Sequence, residues 1–132
     1  MTMVDQIDFV ILHPHAEDVE IIKLKSFFEE YGLSIKVIDC SMSSLAYLIE
    51  NKIKTALVYD IDGKTFAQDF IIEASVKKIF HQTTFYYLFD QKPEQFHQIK
   101  LMTLGYSGFL TLPFSPLEAQ NTIDINDCIK AA

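Results

Sequence analysis

Few residues in this chain could carry chemistry, and most of them are oxygen donors. Thr55 to Tyr59, TALVY, is a continuous apolar run that ends at Asp60, followed by Ile61-Asp62-Gly63. A carboxylate at the mouth of a buried strand can accept a transferred group. An acidic residue also commonly ends such a strand at the surface with no further role. The Asp60 to Gly63 run shares the opening of a calcium loop but lacks the later ligands. His13 and His15 alternate on an extended segment, a pattern that suits Zn²⁺. A structural zinc site takes four ligands and a catalytic one three, and no cysteine lies near in sequence. Both imidazoles are therefore expected to face solvent. Ser41, Ser43 and Ser44 have no base placed for them and are expected to cap a helix. Tyr86 and Tyr87, in mid-strand, are expected to pack in the core or against the sheet. No glycine-rich phosphate loop and no nucleophile–base pair is visible, so an independent enzyme is not expected.

These residues need elements to place them. Residues 7 to 12, IDFVIL, form an apolar run closed by His13-Pro14, which predicts a buried first strand. A first helix is expected from Ala16 to Tyr31, its inner stripe Val19, Ile22, Phe27 and Phe28, with acids in front and Gly32 as the stop. Ile35 to Cys40 predicts a second strand. Ser43 or Ser44 would cap a second helix with Leu45, Leu48 and Ile49 inward. Thr55 to Tyr59 is the third strand, and Lys64 to Phe80 a third helix burying Phe66, Phe70, Ile71, Ala74 and Ile79. Thr84 to Phe89, TFYYLF, is β-branched and aromatic, hence a fourth strand. Pro93 to Leu104 is a fourth helix, with Pro93 in its first turn and Gly105 beyond its end. Phe109 to Leu112 is the fifth strand. Leu117 to Ile129 is a fifth helix, poor in helix formers and expected to be broken or frayed. Five strand–helix units with strands apolar on both faces predict an α/β, flavodoxin-like doubly wound sandwich. Its sheet would hold five parallel strands with helices on both faces. Its functional surface would lie at the carboxyl ends of the strands.

The chain has 132 residues, expected to form one domain over residues 1–132, large enough for a real core. Apolar residues at 49% and only four glycines and four prolines exclude a disordered chain. Eleven basic against eighteen acidic residues leave a net charge of −7 with no basic cluster, which argues against nucleic acid and anionic membranes as partners. The start, MTMVDQID, has neither a basic nor an apolar leader region, and no apolar run approaches the ~20 residues of a membrane span. Cys40 and Cys128 stand in unrelated contexts and are expected to be reduced and packed, in a cytoplasmic protein.

Gly105 to Glu118, GYSGFLTLPFSPLE, organises the rest of the chain. A glycine-bounded turn leads into an apolar strand, then Leu112-Pro113, where a cis bond is expected. Ser115-Pro116 matches an N-cap and first helical residue. The block resembles the end of response-regulator receiver domains, "GA-x-x-[YF]-[LIV]-x-KPF", and the resemblance runs over essentially the whole chain. It implies a phosphoacceptor position at Asp60, whose distance to Leu112 matches the family's aspartate-to-lysine spacing. Other expected parts depart from the family. His13-Pro14-His15-Ala16 stands where paired acids would hold Mg²⁺, Phe89 (or Asp90, one residue on) where a hydroxyl would, and Leu112 where the lysine would. Phe109 keeps the aromatic of strand five, in a switch region shared with Pro113. Phe89 could fill the space that aromatic would enter.

The resemblance therefore implies a degenerate receiver, a pseudo-receiver signalling module that works by protein–protein interaction without ordinary aspartate phosphorylation and needs no cofactor. Its partner, another protein or a second copy, would meet the face of helix four, strand five and helix five, with Phe96 and Tyr106 as exposed anchors. The alternative is a working phosphoacceptor of a two-component system at Asp60, with Mg²⁺ held by Glu17 or Asp18. A third reading is a pocket of His13, His15, Phe89 and Leu112 selecting a ligand less charged than phosphate.

Overall fold

The computed structural model describes residues 6–60, 65–91, 93–124 and 128. Strands β1 (Phe9–Leu12), β2 (Ile35–Ile38), β3 (Thr55–Tyr59), β4 (Thr84–Phe89) and β5 (Tyr106–Thr111) alternate with helices α1 (Val19–Glu29), α2 (Ser44–Glu50), α3 (Phe66–Val76), α4 (Gln95–Leu104) and α5 (Pro116–Thr122). The strands pair in parallel in the order β2-β1-β3-β4-β5. That order is the flavodoxin-like doubly wound sheet predicted from the alternation. No helix among the described residues is long and apolar enough to cross a membrane.

Strand side chains alternate faces, and each face builds its own core. Val10, Leu12, Ala56, Val58, Phe85 and Tyr87 meet α2, α3 and α4 through Leu48, Phe70, Ile71 and Leu101. Phe9, Ile11, Leu57, Tyr59, Tyr86, Leu88 and Leu110 meet α1 and α5 through Ile21, Leu24, Phe28 and Ala119. The sheet is thus covered on both sides, which is why its strands carry no polar face.

Several boundaries and faces differ from the sequence expectation. On α1 the buried stripe is Ile21, Leu24 and Phe28, while Val19 and Ile22 are exposed. Asp18 accepts hydrogen bonds from the N–H groups of Glu20 (2.9 Å) and Ile21 (3.4 Å) and so starts the helix at Val19, and packing against the sheet buries Ile21, Leu24 and Phe28. β2 stops at Ile38, short of Cys40. Ser43 holds the N-cap position of α2 but makes no side-chain cap bond, and Ile49 is exposed. Ser44 Oγ donates to the Asp39 carbonyl (2.8 Å), and Ser41 and Ser43 pair with each other (2.8 Å). α3 ends at Val76 because Lys78 turns left-handed (φ +58°), and Ile79–His81 follows as a separate 3₁₀ turn. α4 begins two residues after Pro93. α5 stops at Thr122; its expected end at Ile129 lies outside the described residues.

The largest difference is in β5, which begins at Tyr106, not Phe109, and ends at Thr111. Phe85 pairs with Tyr106 but Tyr86 with Gly108, so Ser107 is an extra residue in the ladder. The shift puts Tyr106 and Phe109, three apart, on the same α2–α4 face. Tyr106 is consequently 2% exposed and its hydroxyl donates to the Ala67 carbonyl (2.8 Å), so it is not a surface anchor. After β5 the Leu112-Pro113 bond is cis, and Ser115 caps α5 by accepting from the Glu118 N–H (3.3 Å), with Pro116 first in the helix.

Candidate functional site

The carboxyl ends of β1, β3, β4 and β5 bring together the residues singled out in the sequence. Asp60 is the first residue past β3, and its N–H donates to the Leu88 carbonyl (3.2 Å), continuing the β3–β4 ladder. Its Oδ2 accepts a hydrogen bond from the Tyr87 hydroxyl. Its Oδ1 is buried and, among the described residues, accepts none. One residue earlier, Tyr59 donates its hydroxyl to the Asp90 carboxylate across the same strand pair. β3 therefore supplies a tyrosine and an aspartate, and β4 supplies an aspartate and a tyrosine, paired in reverse.

Tyr87 is the residue that sequence reading missed. Its ring sits among Tyr106, Phe109 and Phe89, with centroids 5.5–5.6 Å away. Burial, then the hydrogen bond to Asp60 and that carboxylate's charge, push the phenol's pKa upward. A signal existed. A buried tyrosine in a strand of phenylalanine and leucine needs a partner for its hydroxyl, and Asp60 lies just past Val58, which pairs with Tyr87.

The other predicted positions fall around this pair. Phe89 fills the space beside Tyr87 and Phe109 (6.2 Å between its ring and the latter) and offers no hydrogen bond. Leu112 is 8% exposed and belongs to the core layer under α1 and α5, while its N–H donates to the Phe89 carbonyl (2.8 Å). Past Pro113, the Phe114 N–H donates to Glu20 Oε1 (2.6 Å), tying the post-β5 loop to α1. Cys40 donates to the Tyr59 carbonyl (3.6 Å), and burial, then Asp39 and Asp60, push its thiol up to about 12. Asp62 lies outside the described residues.

His13 is not solvent-facing, as expected from sequence, but 6% exposed, its ring 4.3 Å from that of Tyr59. Its Nδ1 accepts from the His15 N–H (3.0 Å), which requires the neutral tautomer protonated on Nε2. His15 itself is exposed, 3.7 Å from Glu17. Burial holds His13 below the ordinary imidazole pKa, against the pull of Asp18 and Asp90. An unfolded chain takes up this proton below about pH 6.5 while the native one still refuses it. Stability is thus expected to fall as pH drops below that value, until the native pKa is passed. Melting curves from pH 8 to 5 on the parent and on His13→Asn, whose amide oxygen can accept the same bond, should diverge on the acid side. Parallel curves would reject the assignment.

Among the described residues, the end of β1 does not offer the paired acids that hold Mg²⁺ in a receiver. His13 and Pro14 supply no oxygen side chain, and the nearby acids are otherwise placed: Asp18 caps α1 and Glu17 is exposed beside His15. Among the described residues, no cluster of three or more histidine, cysteine or carboxylate side chains could hold a metal ion. The chain has no arginine, so no guanidinium can clamp a phosphoryl group.

No family model matches the chain, and no curated protein matches it in sequence. Solved structures do match in shape. A signal receiver domain of a putative Luxo repressor protein from Vibrio parahaemolyticus aligns at TM-score 0.72 and 10% identity, over 91% of this chain and 90% of its own. A response regulator receiver domain protein from Clostridium thermocellum aligns at 0.69 and 18% over 91% of each. A putative pilus assembly-related protein from Burkholderia pseudomallei aligns at 0.69 and 12% over 98% of each. At these identities the likeness is one of architecture: the chain has the fold of response-regulator receiver domains.

Proposed function

We propose that this chain is a receiver-type signalling module that acts by protein–protein interaction and does not undergo ordinary aspartate phosphorylation. The observation that carries this reading is the environment of Asp60. Its carboxylate is bonded to Tyr87, with a phenyl ring (Phe89), a buried leucine (Leu112) and a neutral imidazole (His13) at the positions where a receiver needs a hydroxyl, a cation and acids. An acyl phosphate formed there would crowd negative charge beside Asp90 without a fixed counter-charge among the described residues, which costs several kcal/mol of transition-state stabilisation, in order of magnitude.

Binding follows from what the surface offers. On α4, Phe96 (80% exposed), Ile99 and Met102 are exposed at three-residue steps and form an apolar stripe on one side of the helix. The partner is a protein or a second copy of the chain, met through α4, β5 and α5, with Phe96 as the aromatic anchor. Ser41, Ser43 and Ser44 are engaged with one another and with the Asp39 carbonyl, in keeping with a module that has no catalysis of its own.

The test is intact mass after incubation with acetyl phosphate and Mg²⁺, repeated on Asp60→Asn. The parent is expected to gain no phosphoryl group. A gain that disappears in Asp60→Asn would replace this reading by that of a working phosphoacceptor at Asp60.

A further inference from the structure

The geometry points to a self-occluding latch: Tyr87 of β4 holds the Asp60 carboxylate turned inward, and Tyr59 with Asp90 bolts the same two strand ends from the other face of the sheet. The inference rests on the reading above, since it assigns how the chain keeps that carboxylate from outside chemistry.

Three observations carry it. First, the two hydrogen bonds are reciprocal, Tyr59 to Asp90 and Tyr87 to Asp60, so each strand end gives one donor and one acceptor. Second, they lie on opposite faces. Tyr87 belongs to the layer under α2, α3 and α4, and Tyr59 to the layer under α1 and α5. The strand ends cannot splay toward either side without breaking one of the two. Third, the Tyr87 ring is fixed before its hydroxyl bonds anything, because Phe89, Tyr106 and Phe109 surround it. A donor held this way costs little ordering entropy when it engages the carboxylate.

The hydroxyl engages Oδ2 and Oδ1 is buried, so in the half-buried Asp60 both carboxylate oxygens are constrained in the latched state. An outside group that takes Oδ2 competes with the Tyr87 hydroxyl for that oxygen. Tyr87 is a positioning residue and the carboxylate its cargo. The segment after β5 need not move for the Tyr87 bond to open, since Leu112 and Phe114 are secured separately, to Phe89 and Glu20.

The experiment is carbodiimide-driven coupling of glycine ethyl ester to carboxylates of the full chain, with each site followed by fragment-ion mass spectrometry. Exposed Glu17 serves as the internal reference. In the parent, Asp60 should couple more slowly than Glu17. In Tyr87→Phe, which keeps the stacked ring, Asp60 coupling should rise roughly five- to tenfold, the ratio a single net hydrogen bond commands. Glu17 should not change. Tyr106→Phe removes a buried hydroxyl whose partner is the Ala67 carbonyl, and it should leave Asp60 at the parent rate. The latch is overturned if Asp60 matches Glu17 in the parent, if Tyr87→Phe gives no increase, or if Tyr106→Phe gives the same increase through general loosening. None of these outcomes coincides with the acetyl phosphate result, so the latch and the functional reading can fail independently.

Discussion

Leu112→Lys, the substitution that restores a receiver's lysine on paper, is expected to destabilise the protein by about 2–4 kcal/mol without creating a phosphoacceptor. Leu112 is packed in the layer under α1 and α5 with Tyr59, Leu110 and Ile123. Asp60 reaches into the opposite layer, where Tyr87 sits. A lysine would lose the leucine's buried surface and would have to lead its ammonium out of an apolar layer to reach solvent. Residue 112 is part of the core in this fold. Urea unfolding should show a lower midpoint at an unchanged slope. Incubation with acetyl phosphate should still leave the mass unaltered. A variant as stable as the parent that also gains a phosphoryl group would show the site to be one substitution from function.

Phe85→Ala is expected to cost about 3–5 kcal/mol, the range for deleting a fully buried ring. Phe85 lies at the start of β4 with its ring 6.2 Å from Phe70 of α3 and 5.7 Å from Phe80. Phe80 in turn lies against Gly105, where a side-chain Cβ would approach its ring to 2.4 Å. Gly105 has φ +139°, so neither its backbone nor its space admits another residue. Removing Phe85 therefore takes the support from the ring that seats the end of α4. Against a domain stability of roughly 5–15 kcal/mol, such a loss leaves the fold marginal at room temperature. Phe85→Leu should cost under about half as much, because it keeps most of the volume. Guanidinium unfolding of the two variants separates these values. Equal midpoints would mean that the cavity collapses fully.

The fold was legible because its determinants are local. TALVY and TFYYLF gave β3 and β4 to the residue, since runs of β-branched and aromatic residues between turns admit little else. Ser115-Pro116 located the start of α5 for the same reason. The faces of α1 were harder. Val19, Ile21, Ile22, Leu24, Phe27 and Phe28 crowd so many apolar residues into ten positions that several stripes fit, and packing against the sheet selects one. β5 was misplaced because one inserted residue breaks the alternation on which strand reading depends. Asp60, His13, Phe89 and Leu112 were singled out by their places along the chain, and they lie at the carboxyl ends of β3, β1, β4 and β5. Their engagements were not legible, because the Tyr87–Asp60 and Tyr59–Asp90 bonds join residues 27 and 31 apart and depend on strand register.

Ser107 divides β5 into two pieces that are fastened to different neighbours. The Tyr106 hydroxyl moors the first piece to Ala67 of α3. The second approaches α5 closely, Gly108 leaving room for the Thr122 methyl, which a Cβ there would meet at 2.9 Å. Thr111 is held by Glu118 of the same helix, through its N–H (2.7 Å) and its hydroxyl (2.8 Å). The extra residue of a bulge is left unpaired and bends the strand that carries it. The two pieces are thus tied to different helices, the first to α3 and the second to α5, on either side of Ser107. A displacement of α3 would therefore pull on the first piece of β5, and a displacement of α5 on the second.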